Sequence, residues 1–274
     1  MIRDITIGQY YPKESLIHRL DPRVKIIGTI VYIVSMFSFQ RFIGLVVAFA
    51  FLALVIKLSK IPVSYIVKGL KPIAIFLVFT MFFQILFSDG NILWKWGILS
   101  VSVEGIRNAI FMGVRLCLLV FGASMMTFTT TPNQLTDGLE KIFGILNKVH
   151  LPVHEIAMMM AIALRFIPIF VEEADKIMKA QMARGADFET GGIIKRAKSL
   201  VPLLVPLFIS AFRRANDLAM AMEARCYTGG EGRTKMKPLQ YKKIDGIAYM
   251  ALVLYVVVLY ISLRLWNVGI YPKV

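Results

Sequence analysis

A chain of 274 residues that is 57% hydrophobic and only 18% charged carries more apolar surface than a soluble core of that size can bury, which excludes an ordinary globular protein and points to an integral membrane protein. The formal net charge of +15 lies beside apolar segments, where cytoplasmic basic residues and anionic lipid account for it, so no nucleic acid partner is expected. Of the two cysteines, Cys117 falls in an apolar segment and Cys226 in a basic region, which leaves no disulfide framework and no metal-ligand spacing.

The first 23 residues carry Arg3, Asp4, Lys13, Glu14, Arg19, Asp21 and Arg23 without an apolar run, so no signal peptide is expected and the amino terminus is assigned to the cytoplasm. Residues 26–56 are uncharged except for Arg41, which divides them into two runs of 15 residues. Each run is short for a span of about 20 residues, but Lys25, Arg41 and Lys57 can reach the interfaces, and the spacing predicts a tight transmembrane hairpin. Lys57, Lys60, Lys68 and Lys71 follow with no acid among them, and Pro62 and Pro72 bracket a short amphipathic segment at the cytoplasmic surface. A third span from about Pro72 to Phe87 leads into the turn residues Ser88-Asp89-Gly90-Asn91, and Trp94-Lys95-Trp96 sets two indoles at an outer interface. The fourth span, about Ile106 to Phe128, contains Arg115, read as a buried pair or a snorkelling residue rather than a transport site.

Residues 130–243 hold 17 Lys or Arg and 11 Asp or Glu, most of the charge in the chain, which assigns this half to the cytoplasmic side. Between Glu155 and Glu172 lie 16 residues interrupted by Arg165, and an arginine at the centre of a span costs about 2.5–3.5 kcal/mol on insertion. Between Lys198 and Arg213 lie 14 residues with Pro202 and Pro206 among them, a length more usual for a buried or interfacial helix. Neither run reads as a span. A fifth crossing is expected between Asp245 and Arg264, 18 uncharged residues, and it puts the carboxyl terminus outside. The predicted organisation is an all-α integral membrane protein: a four-span N-terminal membrane part (1–129), a cytoplasmic or interfacial domain (130–243) and a C-terminal span (244–274).

The pattern from about Val153 to Arg184 is helical over roughly 45 Å. A similar helix is expected from about Ile194 to Arg225, with Pro202 and Pro206 bending it and Gly191-Gly192 turning the chain between the two. Aligned on Arg184 and Arg225, the two ends agree: Ala174 with Ala215, Ile177 with Leu218, Ala180 with Ala221, Ala183 with Ala224. Upstream, Pro168-Ile169-Phe170 resembles Pro206-Leu207-Phe208 with an offset of three residues, so this is a weak repeat of two copies. Alanines at this spacing make a narrow face for close helix packing, and Ala174, Ala180, Ala215, Ala221, Pro168 and Pro206 are the candidates for packing the two helices across each other. Each arginine stands in a last turn, where a cation complements the helix dipole, so plain capping on a solvated end accounts for the spacing as well as a docking role does.

Several stretches together resemble the transmembrane T component of energy-coupling factor transporters. They are Gly8-Gln9-Tyr10-Tyr11-Pro12, the run from Ser15 to Lys25 with His18-Arg19-Leu20-Asp21-Pro22, Thr131-Pro132, Ala163-Leu164-Arg165-Phe166-Ile167-Pro168, and the two hallmark triplets Ala183-Arg184-Gly185 and Ala224-Arg225-Cys226. The second triplet departs from the usual Ala-Arg-Gly at its last residue, which puts a glycine-type cap there in doubt. The resemblance implies a scaffold in a prokaryotic plasma membrane that joins two ATP-binding-cassette ATPases to a substrate-binding S subunit for uptake of vitamins or other micronutrients. It also implies coupling helices whose arginine tips dock in grooves on the ATPases, with ATP and Mg bound by those partners and no cofactor by this chain.

The residues agree with a non-enzymatic role in what they lack, since no Gly-x-x-x-x-Gly-Lys-Ser/Thr loop occurs. His150 and His154 have helical spacing, but Pro152 lies between them and argues against a metal pair. Glu172-Glu173 has Ile177, not arginine, four residues after Glu173, which removes the match to a Glu-Glu-x-x-x-Arg protease, and both read as surface carboxylates. A self-contained secondary transporter, which needs ionisable groups at membrane depth, and a membrane-bound hydrolase, which needs a nucleophile or metal cluster, stand as the alternatives.

Overall fold

A computed structural model describes residues 10–87, 92–96, 99–144, 152–188, 192, 194, 198–229, 236 and 238–267. Helix α1 (Pro22–Phe37) starts where Asp21 accepts a hydrogen bond from the Arg23 amide and Pro22 fills the first helical position, a pairing that suits a helix start. The two-run pattern split at Arg41 becomes α1 and α2 (Phe42–Ser59), and α2 ends at Lys60 in the left-handed conformation, φ 58°. The segment between Pro62 and Pro72 forms the short α3 (Val63–Lys68), followed by α4 (Lys71–Phe87).

The stretch after α4 holds the one non-helical element among the described residues. Strands β1 (Ile92–Trp96) and β2 (Leu99–Ser102) pair antiparallel, Trp96 opposite Leu99 and Trp94 opposite Val101. The local sequence predicts only a turn and two indoles there. Ser102 caps α5 (Val103–Thr129) by accepting from the Gly105 amide. Thr131 and Gln134 exchange side-chain to backbone hydrogen bonds at 3.4 and 3.2 Å, a capping box that starts α6 (Pro132–Phe143).

Helix α7 (Val153–Ala183) runs unbroken through Pro168 for 31 residues. Helix α8 (Val201–Glu223) is described from Val201, so Pro202 falls in its first turn, where a missing amide hydrogen is harmless, and only Pro206 lies inside it. The expected bend at Pro202 is thereby replaced by a helix start. Of the expected Gly191-Gly192 turn, Gly191 lies outside the described residues. Helix α9 (Lys243–Asn267) closes the chain.

The chain divides into two compact units, one of Gly8–Gly138 with Leu239–Val274 and one containing Leu139–Pro238. In the first, α1, α2, α5 and α9 enclose a core that includes Tyr32, Met36, Leu52, Leu118, Met125, Phe128, Tyr255 and Leu259. Gly122 admits the Tyr32 ring against α5: a Cβ there would stand 2.4 Å from Tyr32 Cε1. The Ser35 and Tyr255 hydroxyls meet at 2.7 Å and join α1 to α9.

Helices α2, α5, α7 and α9 are long and apolar enough to cross a membrane, and α1 and α4, at 16 and 17 residues, are shorter. The protein is a multi-pass membrane chain. The five expected spans correspond to α1, α2, α4, α5 and α9. Helix α7 reaches spanning length as well, because the helix continues past Glu155 and Glu172, the two charges that bound the apolar run in sequence.

Candidate functional site

The two arginine triplets end their helices in the same way. After α7, Gly185 has φ 88°, its amide bonds to the Met182 carbonyl at 3.0 Å, and the Ala186 amide reaches back to Gln181 at 3.0 Å. After α8, Cys226 has φ 55°, its amide bonds to the Glu223 carbonyl at 2.8 Å, and the Tyr227 amide reaches back to Met222 at 3.1 Å. This is the Schellman arrangement twice over, with glycine in the left-handed position once and cysteine once. The doubt raised by the Cys226 departure is thereby answered: the cap forms, with a Cβ in a region that L side chains disfavour. Ala183, Arg184, Gly185, Ala224, Arg225 and Cys226 are all exposed, and neither guanidinium has an ion-pair partner among the described residues. Met182, two residues before Arg184, is 49% exposed, and Met220, five residues before Arg225, is 60% exposed, which leaves adaptable apolar surface on the last turns of both helices.

Behind the tips, α7 and α8 run antiparallel, since Glu173 meets Ser210 and Arg214 while Gln181, farther along α7, meets the Pro202 carbonyl at the start of α8. The Glu173 carboxylate is held at both oxygens: Oε1 accepts from the Ser210 hydroxyl and Oε2 from Arg214 Nη2 at 3.1 Å. Glu172 is exposed as read from the sequence, but Glu173 is an interhelical residue rather than a surface carboxylate. The signal was present in the repeat, where Glu173 aligns with the oppositely charged Arg214 one place before Ala174 and Ala215. Among the proposed packing residues, Ala174 and Pro206 are half-buried, whereas Ala180, Ala215, Ala221 and Pro168 are exposed. Their alanine faces are open in this chain.

The Ser15–Lys25 stretch, conspicuous in sequence without an evident role, forms a polar latch. His18 Nε2 donates to the Tyr11 carbonyl at 3.1 Å, which leaves Nδ1 to accept from the Ser15 hydroxyl at 2.7 Å. Burial, and secondarily the positive charge of Lys25, hold the imidazole below its ordinary pKa against the pull of the Tyr11 carbonyl. Lys25 Nζ donates to the carbonyls of His18 and Thr129, and the Tyr11 amide to that of Phe128, tying the segment to the end of α5. Burial pushes the Asp21 carboxyl upward, but hydrogen bonds and charge from Arg23 outweigh it and hold the group below the usual carboxylate range. Asp245, 1% exposed, accepts from the Asp21 amide at 2.8 Å and the Lys242 amide at 2.6 Å, so one carboxylate joins the starts of α1 and α9.

Two other residues are clarified. Arg115 is neither salt-bridged nor extended to a helix end: it is buried in α5, donates to the Phe39 carbonyl and lies 4.6 Å from the Phe111 ring centroid. His154 pairs with Glu140 at 3.0 Å, while His150 lies outside the described residues, and no metal-binding cluster occurs among the described ones.

Residues 13–236 match the model of the family described as cobalt transport protein, CbiQ. The energy-coupling factor transporter transmembrane protein EcfT of Ruminiclostridium cellulolyticum is 53% identical over 245 residues, 89% of this chain and 92% of the relative. Its counterpart from Clostridium kluyveri is 52% identical over 268 residues, 97% of this chain and 99% of the relative. The Lactococcus lactis subsp. cremoris counterpart retains 40% identity over 267 residues, again 97% and 99%.

Proposed function

This chain belongs to the EcfT family, the transmembrane component of energy-coupling factor transporters, and from that premise we propose that it is the T scaffold joining two ABC ATPases to a substrate-binding S subunit. The observation that carries the proposal is the matched pair of helix ends. Two exposed arginines, each on a helix end closed by the same cap geometry, form two like plugs for two like sockets. A guanidinium can pair bidentately with a carboxylate in such a socket, while the methionine and alanine surface fills its apolar wall. ATP and Mg belong to the ATPases, which hydrolyse the nucleotide. The amino terminus and both tips lie on the cytoplasmic side and the carboxyl terminus outside.

In this reading, ATP-driven approach of the ATPases moves the two tips, and α7 and α8 pass that motion to the membrane unit and the S subunit that delivers the micronutrient. The open alanine faces around Ala180, Ala215 and Ala221 suit close packing by helices of the other components. The test is co-expression with neighbouring genes followed by affinity purification. Two ATPase subunits are expected with wild-type protein, and Arg184→Glu and Arg225→Glu are each expected to weaken ATPase retention while membrane insertion persists. Wild-type complexes and transport in both variants would contradict docking at the tips. A chain purified alone, with uptake independent of ATP, would contradict the scaffold itself.

A further inference from the structure

The clasp at Glu173 has a place in the internal repeat that its chemistry alone does not explain. Arg184 lies eleven residues after Glu173, and Arg225 lies eleven residues after Arg214. Glu173 and Arg214 are therefore equivalent positions of the two copies, and they are in contact. In an antiparallel pair related by approximate two-fold symmetry, a residue touches its own equivalent only on the axis. The clasp thus marks the centre of the α7–α8 pair, with an arm of about 16 Å running from it to each arginine tip.

The remaining contacts favour rotation about that centre. Ala157 is the one buried residue described in α7 and Leu203 the one in α8, so the pair has little interlocked apolar surface to fix its angle. The Gln181 to Pro202 contact, at 3.5 Å and exposed, is a weak strut off the axis. At the axis, by contrast, both oxygens of one carboxylate are engaged by two donors one helical turn apart on α8, Ser210 and Arg214. Apolar contact resists separation without specifying register; a two-oxygen clasp specifies register at one point. A rotation of about 20° about the clasp swings each tip by about 6 Å and leaves the carboxylate in place.

We infer that the Glu173–Ser210–Arg214 clasp is the pivot of the coupling helices, positioning residues that keep the two arms equal so that displacement of one tip is matched at the other. The inference rests on the T-scaffold reading, and its test uses the whole transporter, with both ATPases and the S subunit, reconstituted in liposomes. Three readouts are taken together: ATPase subunits retained, ATP hydrolysed, and substrate accumulated per ATP.

Glu173→Gln and Arg214→Met are expected to retain both ATPases and to go on hydrolysing ATP, with substrate accumulated per ATP falling on the order of fivefold. The charge-exchanged double variant, Glu173→Arg with Arg214→Glu, is expected to recover part of that ratio, because the interhelical ion pair is restored with the arms unchanged while the Ser210 bond across the pair is not. A purely structural role would instead lower complex yield and thermal stability together with hydrolysis. Wild-type accumulation per ATP in both single variants, or no recovery in the exchanged double variant, overturns the pivot. Loss of the ATPases from the wild-type preparation overturns the scaffold reading instead, so the two failures are distinct.

Discussion

Replacing Asp245 by alanine should loosen the membrane unit more than any single truncation of an exposed helix residue. The side chain is 1% exposed, and its two oxygens accept the backbone amides of Asp21 and Lys242, the residues immediately before α1 and α9. Truncation leaves both amides without their acceptor, and an unsatisfied buried donor costs about 1–3 kcal/mol. The Asp21 contact is the more enclosed of the two, so the expected loss is about 3–4 kcal/mol, a large part of the 5–15 kcal/mol that is typical of a folded domain. Asparagine keeps one acceptor and turns an amino group toward the second amide, which should restore about half of the loss. Thermal unfolding of the detergent-solubilised chain, followed by loss of the monodisperse peak on heating, measures the order wild type, Asn, Ala. An alanine variant with the midpoint of wild type, or an Asn variant no better than Ala, would refute the argument that this carboxylate bridges the two helix starts.

The helix ends offer a second comparison: Cys226→Gly should stabilise α8 by up to about 1 kcal/mol by relieving a left-handed Cβ, whereas Gly185→Ala should destabilise α7 by about 1 kcal/mol for the same reason. Hydrogen exchange of the last-turn amides reads both, and equal protection in both variants would show that the caps are not strained. Stability should also fall on acidification in two windows. The His18 imidazole is held below its ordinary value, so its contribution is intact above about pH 6.5 and is lost as pH falls through the depressed pKa, when Nδ1 can no longer accept from Ser15. Asp21 behaves likewise below the ordinary carboxylate range. His18→Gln should remove the first window and keep the second, as measured by unfolding midpoints between about pH 7 and pH 2.

Much of the membrane architecture was legible before any coordinate, because uncharged runs bounded by lysine, arginine and proline report burial in lipid directly. The split at Arg41, the short segment between Pro62 and Pro72, and the span after Asp245 all appear as α1–α2, α3 and α9. The hairpin at Ile92–Ser102 was not legible, since its strands are five and four residues long and their pairing is settled by the partner strand rather than by local pattern. The arginine triplets were visible as a repeat, but the shared Schellman geometry was not, because whether Cys226 accepts a positive φ depends on the helix end that holds it.

What the sequence by itself determined is therefore the local and the periodic: helices, their lengths, the basic face, and two copies of an arginine-tipped end. Only the tertiary structure decided which polar groups meet, the Glu173 carboxylate with Arg214 and the Asp21 backbone amide with the Asp245 carboxylate. Glu173 and Arg214 stand 41 residues apart, and Asp21 and Asp245 stand 224 apart, in stretches whose local patterns are satisfied without each other. Their pairing follows from how whole helices pack, a choice made by the summed burial and hydrogen bonding of the chain rather than by any residue's neighbours in sequence.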